Sequence, residues 1–79
     1  KTVIFLGGSQ GAVAINKLAL RIAKRLDERG IKIIHQAGEK NILEVEQLYR
    51  DINIEATVFG FTTKLSDYMA QADFAIARA

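Results

Sequence analysis

Ten residues near the start of the chain decide its fold: Val3-Ile4-Phe5-Leu6-Gly7-Gly8-Ser9-Gln10-Gly11-Ala12. Four apolar residues lead into a glycine-rich turn, and a long amphipathic pattern follows it. This order predicts a buried parallel strand, a tight turn and the start of a helix. Glycines in such a turn adopt positive φ and leave no Cβ between the backbone and a ligand. The free N–H groups and partial positive charge of a helix start favour a phosphate near Ser9 and Gln10.

Spacing alone leaves two interpretations of this turn open. It is either a phosphate-binding turn or a tight strand-to-helix turn whose glycines serve only packing, because a single glycine-rich turn is weak evidence. The turn lacks the Lys-Ser/Thr ending of ATPase-type loops and the G-x-G-x-x-G spacing of dinucleotide-binding folds. Neither of those two classes is therefore favoured.

The composition restricts the kinds of site that the chain can hold. Its 79 residues include no cysteine and one histidine, which excludes disulfides and thiolate metal sites and disfavours a histidine metal site. A net charge of +2 is too small to argue for a nucleic-acid partner. We therefore expect no metal, no cofactor and no nucleic acid, in a single small domain whose core is near the lower size limit.

Strand and helix patterns alternate along the whole chain. Apolar, β-branched runs predict strands, and apolar residues at steps of three and four predict helices between them. The order βαβαβαβ specifies an α/β fold with a parallel sheet and helices on its faces. The predicted strands are 2–6, 32–36, 56–59 and 74–77, and the predicted helices are about 11–29, 41–52 and 64–71.

Each predicted helix presents one apolar stripe to the sheet. The inward residues are expected to be Ile15, Leu18, Ala19, Ile22 and Leu26, then Ile42, Val45, Leu48, Tyr49 and Ile52, then Leu65, Tyr68, Met69 and Ala72.

The helix ends carry recognisable capping residues. Gly30 is placed to end the first helix, and Asn41 with Glu44 has the spacing of a capping box for the second. Thr62 or Thr63 is expected to cap the third helix.

The first helix also carries a run of cations. This face could contact an acidic membrane surface or simply be solvated, and helix charges more commonly do the latter. The cations are Lys17, Arg21, Lys24, Arg25 and Arg29.

Polar or glycine-rich residues follow every predicted strand at its carboxyl end, where ligands bind parallel sheets. His35 there is either a catalytic residue or a histidine hydrogen-bonded within a loop. The backbone at Phe61 and Thr62 either contacts a base edge or forms an ordinary capped loop. Arg78 either binds an anion or supports its loop. The residues expected along this edge are Gly8, Ser9, Gln10, His35, Gln36, Phe61, Thr62 and Arg78.

Taken together, these motifs resemble those of the bacterial MurG family, over the whole chain and in one register. The match rests on Gly7 to Ala12 with Asn16, on His35-Gln36 with Gly38, on Phe61, and on Ala72-Asp73 with Arg78. The resemblance implies that residues 1–79 are part of the C-terminal, nucleotide-sugar-binding domain of a glycosyltransferase-B type fold, half of a Rossmann-like domain. The open end of the last strand also predicts a piece of a larger protein.

The resemblance implies roles for residues in the turns. Ser9 would hydrogen-bond the UDP diphosphate, with the Gly8 backbone beside it, and Gln10 would support the turn. The Thr62 backbone would contact the uracil. Thr62-Thr63-Lys64 replaces the acidic pair usual in the family, and the implied uracil contact does not depend on that pair because backbone atoms make it. No catalytic residue would lie in this segment.

The family's reaction, as the resemblance implies it, transfers N-acetylglucosamine from a UDP-sugar to a lipid-linked muramoyl-pentapeptide in peptidoglycan synthesis, without a required metal. The acceptor would bind a missing N-terminal domain. The full-length enzyme would be a peripheral protein at the cytoplasmic face of the bacterial inner membrane, serving cell division and cell shape. Segment 1–79 alone would be inactive and, with an open sheet edge, is expected to self-associate.

Two alternatives stay open at this point. One is an isolated, non-catalytic α/β nucleotide-binding module. The other is part of a different glycosyltransferase-B type enzyme, such as a UDP-sugar epimerase.

Overall fold

A computed structural model of the protein describes residues 1–7, 12–38, 41–60 and 64–77, without the side chains of 12–14. These ranges contain strands and helices in the predicted βαβαβαβ order, so the predicted α/β class is confirmed. The four strand predictions match the structure at both ends, and the helices differ by one residue at each end except that α3 ends at Gln71 as predicted. The elements are β1 (Thr2–Leu6), α1 (Ala12–Glu28), β2 (Lys32–Gln36), α2 (Ile42–Asp51), β3 (Ala56–Phe59), α3 (Leu65–Gln71) and β4 (Phe74–Ala77).

The strands form one parallel sheet in the order β3-β2-β1-β4. β1 lies inside the sheet, where Ile4 is opposite Ile34 on one side and Ala75 on the other. Its three central residues are buried, as expected for a strand that has neighbours and helices on both sides.

Helices α1 and α2 cover one face of the sheet. Because successive strand residues point to opposite faces, Val3, Phe5 and Ile33 meet this face together. Ala19 and Ala23 of α1 are fully buried against them, and their small side chains allow the helix to approach the sheet closely. This is the larger of the two cores.

Helix α3 covers the other face. Ile4, Ile34 and Phe59 are buried there, with Leu65 and Tyr68 of α3 packed against them. The Phe59 and Tyr68 rings are stacked, with centroids 4.2 Å apart and planes 9° from parallel. The sheet therefore separates two apolar clusters.

Four of the residues predicted to face inward are instead substantially exposed. In α2, Val45 and Tyr49 lie four residues apart and fill the contact with the sheet, which leaves the other apolar positions at the flank. In α3, Tyr68 takes the equivalent place on Phe59. The exposed residues are Leu18 (37%), Leu48 (37%), Ile52 (44%) and Met69 (44%).

Helices α1 and α2 end in the same backbone motif. Gly30 has φ +71°, its N–H donates to Asp27 O at 2.9 Å, and the N–H of Ile31 donates to Leu26 O at 2.9 Å. This Schellman arrangement confirms the predicted cap. At the end of α2, Asn53 has φ +57° and occupies the position that Gly30 occupies after α1.

The predicted amino-terminal caps differ from the structure. Asn41 occupies the cap position of α2, but its side chain makes no capping hydrogen bond, so the capping box is wrong. Its ψ of 2° lies outside the extended region in which an N-cap side chain reaches the helix N–H groups. The cap position of α3 is Lys64; Thr62 and Thr63 lie outside the described residues.

The cations predicted along the first helix (Lys17, Arg21, Lys24 and Arg25 of α1, and Arg29 just after it) are exposed. Within the described ranges, no helix has both the length and the apolar character needed to cross a membrane.

Candidate functional site

The carboxyl ends of the strands lie side by side at one edge of the sheet. Leu6 is opposite Gln36 on one side and Ala77 on the other, and Gln36 is opposite Phe59. The alignment continues past the strands, where Gly7 N–H donates to Gln36 O at 3.1 Å. This edge is the one from which all the predicted binding segments depart.

The residues singled out for binding begin immediately after this edge. Gly8, Ser9 and Gln10 follow Gly7 in the sequence, and Phe61 and Thr62 follow Gly60, which is buried. The residues that the structure describes do not include 8–11, Phe61, Thr62 or Arg78. Their proposed roles stay predictions.

Of the two interpretations of His35, the structure supports the hydrogen-bonded histidine, but in a strand and not in a loop. The residue lies within β2, and its side chain is fully buried on the face covered by α1 and α2. It lies two residues after Ile33 and therefore on the same face of the strand, so its imidazole points into the core and not toward the edge. His35 is therefore neither exposed to a ligand at the edge nor part of a loop.

Two side-chain hydrogen bonds hold the imidazole in place. The distance from His35 Nε2 to Asn16 Oδ1 is 2.6 Å, and that from His35 Nδ1 to the Tyr49 hydroxyl is 2.7 Å. A carbonyl oxygen can only accept, so Nε2 carries the proton and donates to Asn16. The unprotonated Nδ1 then accepts from the Tyr49 O–H. We call this chain of three residues the Asn16–His35–Tyr49 network.

The network is uncharged near neutral pH. Burial lowers the pKa of His35 to about 4, because the protonated imidazole loses its hydration there. Burial likewise raises the pKa of Tyr49 well above its usual value. The tyrosine therefore keeps its proton and the histidine stays neutral.

Aromatic packing surrounds the same imidazole. The Tyr49 ring meets the His35 ring edge-on at 77°, with centroids 5.6 Å apart, and the Phe5 ring lies 5.8 Å away on the sheet. In the described part of the chain, no buried side-chain nitrogen or oxygen is left without a hydrogen-bond partner. This polar group is thus fully satisfied within an apolar core.

The sequence marks each member of the network but does not predict the hydrogen bonds between them. It identifies Asn16 only as part of a family motif and Tyr49 only as an apolar contact. A signal was present: Asn16 lies on the same helix stripe as Ala19 and Ala23, and His35 lies on the same strand face as Ile33. Two polar residues at core positions of neighbouring elements require each other as partners.

Other residues of the family motif have structural roles. Asp73 lies just before β4, where its carboxylate Oδ2 accepts the Thr2 N–H at 2.8 Å and its own N–H donates to Thr2 O at 2.7 Å. These two hydrogen bonds join the start of β4 to the start of β1, at the amino ends of the strands and away from the carboxyl edge of the sheet. Across the described ranges, no group of side chains has the composition of a metal site.

Comparison with known proteins assigns this arrangement to a family. The family model described as the glycosyltransferase family 28 C-terminal domain matches residues 2–79. Relatives named UDP-N-acetylglucosamine–N-acetylmuramyl-(pentapeptide) pyrophosphoryl-undecaprenol N-acetylglucosamine transferase are 76% identical in Sulfurovum sp. and 52% identical in Sulfurimonas denitrificans. One from Campylobacter jejuni subsp. doylei is 51% identical.

Each of these three alignments covers 100% of this chain and 23% of the relative. The chain thus spans about a quarter of the length of the curated relatives it matches. No solved structure matches it significantly.

Proposed function

The chain belongs to the family of glycosyltransferase family 28 C-terminal domains, and we propose that residues 1–79 form part of the donor-binding domain of a hexosyltransferase. The donor would be UDP-N-acetylglucosamine, and the acceptor a lipid-linked muramoyl-pentapeptide in peptidoglycan synthesis. The relatives named for this reaction support the proposal, with 76% identity in the first of them. They favour it over an epimerase or a module without activity.

One structural observation carries the proposal. Gly7 ends the buried strand β1 at the carboxyl edge of the sheet, and α1 begins at Ala12, so the glycine-rich segment connects these two points. A connection from a parallel strand to a helix start is where phosphate groups bind in open α/β sheets. The diphosphate of the donor would bind at this connection.

The residues of the two turns would contact different parts of the donor. Ser9 would donate its hydroxyl hydrogen to the diphosphate, Gly8 would let the backbone approach it, and Gln10 would support the turn. Thr62, which follows β3 in the sequence, would contact the uracil through its backbone.

The chemical contribution of these residues would be electrostatic. As the acceptor hydroxyl attacks the anomeric carbon, the bond from that carbon to the diphosphate oxygen breaks and UDP leaves with the electron pair. Hydrogen-bond donors already aimed at the diphosphate stabilise this developing charge without reorganising. The base that takes the acceptor proton would lie in a domain outside these residues, as would the acceptor site.

The finer aspects of the proposal concern location. A lipid-linked acceptor would place the full-length enzyme at the cytoplasmic face of the inner membrane as a peripheral protein, with roles in cell division and cell shape. The support is the undecaprenol acceptor in the relatives' names.

Titration of the full-length protein with UDP tests the proposal. The wild type should bind saturably, and Ser9→Ala should weaken binding about tenfold, as expected for a lost hydrogen bond to a charged group. Gly8→Val should abolish binding, because its side chain would occupy the ligand's space. Ser66→Ala is the matched control: this serine is exposed on α3, and its variant should bind as the wild type does.

Absence of UDP binding in a folded wild-type protein would refute donor binding. Turnover separates the transferase from an epimerase. The transferase releases UDP from the donor only when the lipid-linked acceptor is present, whereas an epimerase converts the UDP-sugar without any acceptor.

A further inference from the structure

The Asn16–His35–Tyr49 network connects three elements through the interior. Tyr49 belongs to α2, His35 to β2 and Asn16 to α1. Asn16 is one helical turn beyond Ala12, where α1 begins. The network therefore acts on the part of α1 that lies closest to the glycine-rich segment.

The hydrogen bonds of the network are directional, so they can fix the orientation of α1, which apolar contacts alone do not fix. The contacts of Ala19 and Ala23 with the sheet are non-directional, so they do not by themselves fix the orientation of the helix. The bond from His35 Nε2 to Asn16 Oδ1 has a length of 2.6 Å and tolerates little change in distance or angle. Moving α1 would break it and leave buried polar groups unpaired.

The far end of the network is itself anchored. Tyr49 is 2% exposed, and its backbone oxygen accepts the N–H of Ile54 at 3.0 Å in the motif that ends α2. His35 is held by its own strand, in the interior of the sheet between β1 and β3. Asn16 is thus linked by hydrogen bonds to the sheet and, through His35, to α2. These bonds fix both the position of α1 along its axis and its rotation about that axis.

We propose that Asn16 is a positioning residue for the donor: through His35 and Tyr49 it sets the direction in which the amino end of α1 points at the diphosphate. The inference rests on the proposed function of the glycine-rich segment. None of the three residues touches the ligand, since His35 is fully buried and Asn16 is 8% exposed. They act on binding through the placement of the helix.

Steady-state kinetics of the full-length enzyme test this role with Asn16→Ala. The KM for the UDP-sugar should rise at least about tenfold, because misplacement of binding groups by a fraction of an ångström has effects of this size. The KM for the lipid-linked acceptor should stay within about twofold, since the acceptor does not use this helix. Loss of stability alone would lower the active fraction and leave both KM values unchanged.

Val45→Ala is the matched control for stability. Val45 is 1% exposed and lies in the same apolar cluster, and its side chain has no polar atom that could hydrogen-bond to the network. Its variant should unfold at a lower temperature than the wild type, as Asn16→Ala should, with an unchanged KM for the donor.

Tyr49→Phe is the second test of the positioning role, to be used if Asn16→Ala fails to fold, because it removes one hydroxyl and keeps the ring. Its KM for the donor should rise about threefold, in line with the loss of one hydrogen bond two steps from the helix.

The outcomes separate this inference from the proposed function. A wild-type enzyme that binds UDP, together with an unchanged donor KM in Asn16→Ala or, if that variant does not fold, in Tyr49→Phe, overturns the positioning role alone. Equal rises in the donor KM of Val45→Ala and Asn16→Ala overturn it as well. A folded wild type that does not bind UDP overturns the donor site and this inference with it.

Discussion

At the scale of single residues, His35 couples the stability of the fold to pH. Its imidazole accepts from Tyr49 and donates to Asn16, and only the neutral form can do both. Protonation would replace the accepting nitrogen with a second donor facing a hydroxyl, in a site that water does not reach. The folded state therefore binds this proton far less readily than the unfolded state does.

The free energy of unfolding should fall as the pH is lowered from 6.5 toward 4. The pKa of His35 is about 4 in the folded protein, against 6.5 for an unperturbed histidine. The unfolded chain therefore takes up a proton first. Stability is fully present above pH 6.5 and decreases by about 3 kcal/mol in total by pH 4. Urea unfolding at a series of pH values measures this.

His35→Gln is the control for that titration. Glutamine has no group that titrates in this range, so the decrease between pH 6.5 and 4 should shrink to the part contributed by carboxylates. An identical slope in the wild type and the variant would contradict the assignment of the effect to His35.

The position of His35 shows what was not predictable from its neighbours in sequence. A histidine near the end of a parallel strand is often at the ligand edge, and the following Gln36-Ala37-Gly38 looks like the start of a loop. In the structure, His35 shares the strand face of Ile33, and this face turns its side chain into the core. Asn16 and Tyr49 come from helices 19 and 14 positions away, so their contact with His35 depends on how both helices pack on the sheet.

At the scale of elements, the two longer helices end with the same geometry but with different residues. Both Gly30 and Asn53 have positive φ, and the residue after each is apolar and packs back on the core. Glycine adopts this conformation without cost, whereas asparagine adopts it more readily than other residues with a Cβ but less readily than glycine.

Gly30→Ala should lower the free energy of unfolding by about 1 kcal/mol, and Asn53→Gly should raise it by up to about 0.5 kcal/mol. A Cβ on Gly30 would meet no atom within 4 Å, so the whole effect at that position comes from the backbone conformation. Chemical denaturation of both variants gives these values. A neutral Gly30→Ala would mean that the turn relaxes to negative φ.

Element types and strand bounds were predictable because hydrophobic periodicity and the glycine turns agree along the chain. Amino-terminal caps were less predictable. Asn41 has a capping residue's chemistry, but the turn from Gly38 O to Asn41 N–H sets its backbone instead. An apolar stripe does not show which of its residues lies at the centre of the contact with the sheet. In α2 this is Tyr49 and not Leu48, because the shape of the sheet surface decides it.

At the scale of the whole molecule, the strand order leaves β4 at one edge of the sheet. Phe74 is 51% exposed there, with the Lys1 ammonium 5.5 Å from its ring centroid, and Ala75 and Ala77 are exposed as well. An exposed apolar strand edge offers unpaired backbone groups to another chain.

The 79-residue chain on its own should therefore self-associate as its concentration is raised. Ala75→Lys should suppress this, since a charge on an edge strand opposes pairing between chains. Sedimentation velocity over a wide concentration range is the measurement. Ala70→Lys, at an exposed position of α3, is the charge-matched control and should associate like the wild type. A monomeric wild type at all concentrations would contradict the prediction.

The central place of β1 has a consequence for how the protein forms during synthesis. β1 is synthesised before the other three strands of this sheet, yet the partner of Thr2 is Asp73, 71 positions later. At about 5–20 residues per second, a ribosome needs roughly 4 to 14 seconds to supply that partner. Throughout this interval the most apolar strand of the sheet lacks one neighbour, so the nascent chain is a natural client for a chaperone that holds extended apolar segments.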